Sequence, residues 1–365
     1  MGVNAPIGRS RSARSNGVYP LRQLFIYFTI LRGRSNRERN FMKIAILGGG
    51  AMGSAFTVPL RDNGHVVTLW GTEQDKEIIK RLACGEPHPR IGISLPQGVT
   101  CYYEEELEDA VRISDIVVIA VSSEAVKKII QRVAHLLRKD TILMSAAKGL
   151  GGGLKHPMTM SEVISRAILK SLKIKLPVVS MGGPSVASEL AKRLPTAAVY
   201  ASRDTRAAKI CRHAFETPYY KIQILDDVVG LELCSALKNV YAIAMGWCRG
   251  LQKKGGVKQL DNLKALVFAK AVTEMRSIIK SNRGALSTVM GLAGVGDLYV
   301  TSRSGRNETF GYLLGKGITC HEALREMERY GRGVVEGYRT VFLAKAFIKV
   351  SAPLFSSIHA VLNGK

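Results

Sequence analysis

The sequence predicts a doubly wound α/β domain followed by a mainly α-helical one. Three observations predict it. Short, β-branched apolar runs alternate with helical stretches from residue 43 onward, a glycine-rich turn sits directly behind the first run, and after about Asp227 long apolar helical segments replace the strands. Strands that alternate with helices pair in parallel, with helices covering both faces.

Taken in order, residues 1–41 are rich in Arg and Ser and hold one acid, Glu38. That composition suits a disordered tail, an organellar targeting segment, or sequence preceding a true start at Met42. In each reading the segment contributes nothing to catalysis. KIAIL (43–47) then reads as a strand, and 51–63 carries helical periodicity around Pro59, an expected kink. Further strands are expected in HVVTLW (65–70), DIVVIAV (115–121), TILMSAA (141–147), PVVSMGG (177–183) and TAAVYAS (196–202), with helical stretches at 124–138 and 204–215. The first domain therefore runs over 42–227 and the helical one over 228–365, with helices expected at 228–250 and 261–281.

A chain of 365 residues with 46% hydrophobic and 22% charged content fits two globular domains. Uninterrupted apolar runs are too short for a membrane span, LFIYFTIL (24–31) included. The formal charge is +24, of which eight arginines and one acid place +7 in residues 1–41 and leave +17 on the rest. Such a field attracts nucleic acid, anionic membranes or phosphorylated small molecules without choosing among them. The partner expected here is a small phosphorylated substrate, with no specific nucleic acid and no integral membrane contact; a homodimer is compatible with the chain. The six cysteines are scattered, and neither they nor the seven histidines stand at metal-ligand spacing. Free thiols in a reducing compartment follow, the cytoplasm unless residues 1–41 direct the chain to an organelle, and no metal is expected.

Gly48, Gly50 and Gly53 form G-x-G-x-x-G between a strand and a helix start, the context that gives this pattern meaning. The first glycine permits the turn, the second lets backbone approach a pyrophosphate, and the third lets helix pack on strand. With Ala51 and Met52, these residues are the expected cofactor cradle of a Rossmann-like domain. An acid about 20 positions on contacts ribose in such folds. Glu73 stands there, but Gly71, Thr72 and Lys76 around it leave NAD or NADP open.

In the 228–250 helix, Glu232, Ser235, Lys238 and Asn239 share one side at spacings of three and four, among leucines and other aliphatic residues. Spacing alone allows a solvated face. It also allows a lysine presented to a phosphate-bearing substrate, which would need an anionic partner or a lowered pKa. SAAKGL (145–150) sets Lys148 just past a strand end, where open α/β sheets bind ligands. GLAGVGDLYVTSRSGRN (291–307) adds Asp297 and an arginine on a glycine-rich segment suited to forked phosphate contacts.

GGGAMGSA, AAKGL, GGPSVASELAKRLPTAA, SALKNVYAIA, GLAGVGDLYVT, GRN and VVEGYRT, in this order, resemble the NAD(P)-dependent glycerol-3-phosphate dehydrogenases from Met42 almost to the C-terminus. The resemblance implies reversible hydride transfer between NAD(P)H and dihydroxyacetone phosphate, yielding sn-glycerol 3-phosphate for membrane lipids. It makes Lys238 the proton donor and acceptor, Lys148 a second catalytic lysine that binds substrate and polarises the same oxygen, and Asp297 a catalytic acid beside Lys238 that holds its charge and orientation. It assigns substrate contacts to Lys148, Gly183, Ser185, Asn239, Thr301, Arg306 and Asn307. On the cofactor side it adds Lys148, Ala187, Arg306 and Glu336. The chain departs from the family at Gly49, where alanine is common, at Ser122, where proline is usual, and at Ala147, where threonine is familiar. It also stops soon after SSIHAVLNG, so an incompletely closed C-terminal domain is expected. The rival readings are a related dehydrogenase acting on another ketone or ketoacid, which would not need Arg306 and Asn307, and a non-catalytic NAD(P)-binding regulator, in which the lysines would be dispensable.

Overall fold

A computed structural model describes residues 41–256, 259–303, 305–330 and 333–364, so the readings of 1–40 lie outside the described residues. From Phe41 on the chain gathers into one compact unit. Its first half runs β1 (Lys43–Leu47), α1 (Ala51–Asp62), β2 (Val66–Trp70), α2 (Lys76–Ala83), β3 (Val99–Tyr102), α3 (Leu107–Val111), β4 (Ile116–Ile119), α4 (Val126–Val133) and β5 (Ile142–Ser145). It continues through β6 (Leu150–Gly153), β7 (His156–Thr159), α5 (Met160–Leu172), β8 (Val178–Gly182), α6 (Ala187–Ala191), β9 (Thr196–Ala201), α7 (Thr205–Phe215) and β10 (Tyr220–Leu225). The second half is α8 (Val228–Lys254), α9 (Asp261–Ser281), α10 (Leu286–Met290), α11 (Asp297–Arg303), α12 (Arg306–Gly315), α13 (Cys320–Arg329), α14 (Glu336–Ala344) and α15 (Pro353–Leu362).

Among the described residues the main sheet has eight strands in the order β10-β9-β8-β5-β4-β1-β2-β3, and β6 pairs with β7 as a separate hairpin. Alternate side chains of β1 serve two cores: Ile44 and Ile46 join one apolar cluster, Ala45 and Leu47 another. This is the period-two alternation of a strand covered on both faces. The expected parallel pairing holds except between β8 and β9, which run antiparallel. Four strands escaped the sequence reading. β3 is short and only partly buried, β6 and β7 hold three glycines and a proline, and β10 carries Lys221 and Gln223 among its apolar residues.

α8 is the axis of the helical half. Its 27 residues, though interrupted by Glu232 and Lys238, are long and apolar enough to cross a membrane by length and composition, yet 89% of its apolar window is buried inside the protein. A helix apolar on nearly all sides belongs in a core. Burying side chains such as Leu231, Leu237 and Ile243 contributes roughly 1.5–3 kcal/mol each. At the far end, the buried carboxylate of Glu274 accepts hydrogen bonds from Leu354 N (2.7 Å) and Phe355 N (2.9 Å), capping α15. Phe355, Ile358 and Leu362 then pack into the helical core.

The backbones of α8 and α12 meet on glycine. A Cβ added at Gly246 would lie 1.9 Å from the carbonyl oxygen of Glu308, and one at Gly311 would lie 1.9 Å from that of Ile243. Backbone cannot yield as a side-chain tip can. Gly311→Ala should therefore lose about 1–3 kcal/mol of stability through overpacking, despite alanine's better helix propensity. A denaturant melt checks this: an unchanged or raised midpoint would mean that the helices separate freely.

Candidate active site

The turn behind β1 is built as its glycines require. Gly48 has φ +124°, and a Cβ there would come within 2.8 Å of the Ala120 carbonyl group. A Cβ on Gly53 would lie 2.0 Å from Gly48 O, so the third glycine seats α1 against the turn. Gly50 differs, because a Cβ there would meet nothing within 4 Å. It occupies the N-cap of α1, which among the described residues has no side-chain cap, and no acid follows in the first turn. The first N–H groups of a helix lack intrahelical partners, and with a favourable dipole and the open space at Gly50 this helix start fits a pyrophosphate.

The acid beside this turn is Asp75. Its carboxylate accepts from Gly49 N (3.3 Å), Thr72 N (3.0 Å) and Thr72 Oγ1 (2.8 Å). Glu73 instead points to solvent, 4.0 Å from Lys76 Nζ. Of the two acids, Asp75 is the one bonded to the turn, and Glu73, the residue expected from the spacing, is the exposed one. The capping-box pattern from Thr72 to Asp75 was the available signal.

The polar stripe of α8 is buried rather than solvated. Glu232, Ser235, Lys238 and Asn239 are all buried. Glu232 accepts from Ser161 N (2.8 Å), Ser161 Oγ (2.7 Å) and Ser180 Oγ (2.8 Å), fastening α8 to α5 and β8. The Lys238 side chain is only 4% exposed and is ion-paired with Asp297 Oδ1. Asp297 follows a π-helical turn, Leu292–Gly296, in which a Cβ on Gly294 would lie 2.1 Å from Val289 O. Such bulges recur at functional sites because they re-aim the next residue, here the first of α11.

Lys148, three residues past β5, reaches Asp297 Oδ2 at 3.8 Å and donates to Gly183 O at 3.4 Å. Thus two ammonium groups share one buried carboxylate. Among the described residues, Asp297 Oδ2 accepts no hydrogen bond. Burial drives the Lys238 pKa down to about 7, with the nearby Lys148 charge acting in the same direction and Asp297 opposing both. Thr301 lies one turn beyond Asp297, with Oγ1 3.5 Å from Oδ1.

The remaining expected residues stand at the ends of the neighbouring elements. Gly183, in the left-handed region at φ +91°, and buried Ser185 follow β8, and Ala187 opens α6. Arg306 and Asn307 open α12, where Arg306 and Arg90 both flank Gly333. Glu336 opens α14 and accepts from Ser123 Oγ at 2.8 Å, a partner behind β4 that the sequence reading did not name. Asn239 donates to Lys148 O (3.0 Å) and accepts from Asn307 (2.9 Å).

A glycine turn between strand and helix on a doubly wound sheet, in a chain that also buries a lysine against a carboxylate, is the arrangement of a dinucleotide-dependent oxidoreductase. The N-terminal profile of NAD-dependent glycerol-3-phosphate dehydrogenase matches residues 43–208 and the C-terminal profile residues 227–365, so the chain belongs to that family. A relative from Archaeoglobus fulgidus, described as an NADP(+)-dependent glycerol-3-phosphate dehydrogenase, is 40% identical over 88% of this chain and 95% of its own length. One from Thermoanaerobacter, a glycerol-3-phosphate dehydrogenase [NAD(P)+], is 34% identical over 88% and 92%. The solved glycerol-3-phosphate dehydrogenase of Coxiella burnetii aligns with TM-score 0.76 at 27% identity, covering 89% of this chain and 95% of that one. As a member of this family the enzyme interconverts dihydroxyacetone phosphate and sn-glycerol 3-phosphate by hydride transfer with NAD(P)H.

The Glu232 clasp can be tested by itself. Glu232→Ala leaves two serine hydroxyls and the Ser161 N–H without their acceptor and should cost about 2–3 kcal/mol of stability, read from the thermal midpoint. A midpoint equal to that of the parent protein would assign the clasp no structural weight.

Proposed function

We propose that Lys238 donates the proton in ketone reduction and accepts it in alcohol oxidation, while Lys148 binds the substrate and polarises the same oxygen. The observation that carries this reading is the sharing of one buried carboxylate, Asp297, by both lysines. The nicotinamide, when bound, supplies the hydride for reduction and takes it back in oxidation. As hydride reaches the carbonyl carbon, negative charge gathers on its oxygen, and an ammonium within hydrogen-bond reach stabilises and protonates it. The Lys238 amine is then neutral, a state that its burial favours. Asp297 keeps the pair of cations tolerable beside one another before the substrate phosphate arrives.

Arg306 and Thr301, with Gly183 and Ser185, hold the phosphate-bearing substrate in this reading. Gly48, Gly50, Ala51, Met52 and Gly53 hold the cofactor pyrophosphate, with Ala187, Lys148, Arg306 and Glu336 on the nicotinamide side. The Asp75 carboxylate at the glycine turn supports it, rather than Glu73, as the acid near the ribose. The product supplies the glycerophospholipid backbone. Six free cysteines support a reducing, cytoplasmic setting.

Lys238→Ala should lower turnover at least about a hundredfold in NAD(P)H oxidation with dihydroxyacetone phosphate. Near-parental turnover would refute the mechanism. Because the acid form of Lys238 is needed for reduction, kcat/KM in that direction should fall as pH rises through about 7 and should rise over the same interval for glycerol 3-phosphate oxidation. A flat profile in both directions would remove Lys238 as the titrating group. Glu73→Ala should leave the ratio of NADH to NADPH efficiency unchanged; a shift of tenfold would return Glu73 to the ribose site.

A further inference from the structure

A chain of side-chain amides crosses the helical half and ends on the peptide of Lys148. Gly337 N donates to Asn307 Oδ1 at 2.8 Å, Asn307 Nδ2 donates to Asn239 Oδ1 at 2.9 Å, and Asn239 Nδ2 donates to Lys148 O at 3.0 Å. The three bonds join α14, α12, α8 and the loop behind β5. Both asparagines are buried, and a Cβ on Gly337 would lie 2.5 Å from Asn239 O, so the relay is closely packed at its origin.

The ends of the relay fix its direction. A backbone N–H can only donate and a backbone carbonyl can only accept. With one at each end, neither amide can flip without placing like groups against each other. The second amide hydrogen of Asn239 is also used, since Nδ2 lies 3.3 Å from Ser235 O. Asn239 therefore has no donor left for a substrate, whereas Asn307 keeps one N–H among the described residues.

We propose that Asn239 is a positioning residue that acts through Lys148, and that the Asn307–Asn239 relay ties the Lys148 peptide to the N-terminus of α14, which carries Glu336. The relay sets the Lys148 peptide in the place from which Nζ reaches Gly183 O and Asp297. The inference rests on the role of Lys148 given above.

A double-mutant cycle separates positioning from direct contact. Turnover and KM for dihydroxyacetone phosphate are measured for the full chain, Asn239→Ala, Lys148→Ala and the double variant, with thermal melting to establish folding. Asn239→Ala should lower kcat/KM about tenfold in the parent, the effect of one buried hydrogen bond, and less than twofold when Lys148 is already alanine. Isosteric Asn307→Asp, which reverses one amide donor, should show the same dependence on Lys148 and stands in if Asn239→Ala melts early. Equal losses in both backgrounds, or no loss in the parent, overturn the proposal. If Lys148→Ala itself retains parental kcat/KM, the role of Lys148 fails instead, an outcome that the cycle reports separately.

Discussion

The buried pair of Lys238 and Asp297 is the constraint around which the helical half is arranged. Withdrawing an ammonium and a carboxylate from water costs several kcal/mol per ion, and their attraction repays this only when both are held in register. The long apolar helix, the π-helical turn before Asp297 and the glycines that admit that turn all serve this register. The second lysine keeps the pair from being self-sufficient. One carboxylate cannot fully neutralise two ammonium groups, so the site retains a surplus positive charge that a phosphorylated ligand complements.

In the mechanism proposed for Lys238, this arrangement makes an ion pair compatible with proton transfer. A lysine paired in water would hold its proton firmly near its ordinary pKa of 10.5. Inside α8 the cost of burial outweighs the attraction of Asp297, and Lys148 adds repulsion, so the proton is held loosely while the side chain is held firmly. Position and affinity for the proton are thereby set by different neighbours.

Much of the sheet was legible because fully buried strands such as IVVI and KIAIL read as unbroken apolar runs. β3, the β6–β7 hairpin and β10 were not, because half-buried or glycine-bearing strands lose that contrast. At the site, Lys238, Lys148 and Asp297 came from motifs, since each is a rare residue type in its setting. Their burial could not be read from spacing: the stripe on α8 is polar yet faces other protein, and only the packing of α5, β8 and α12 around it decides that. The inward turn of Asp75 and the outward one of Glu73 were not legible either, because distance along the chain does not specify which of two nearby acids turns inward; the local cap does. Ser123 lies 213 residues from Glu336, beyond the reach of local pattern.

The reversed strand β9 has a geometric consequence. An all-parallel arrangement would carry the chain from the ligand-facing rim of β8 back across the sheet before the next strand could begin. By running β9 the other way, the protein turns at that rim, and the connection from Gly183 to α6 offers the Gly183 carbonyl to Lys148 there. One inverted ladder thus lets the sheet and the glycine turn share a single border with the lysines, without a crossover helix to span the opening.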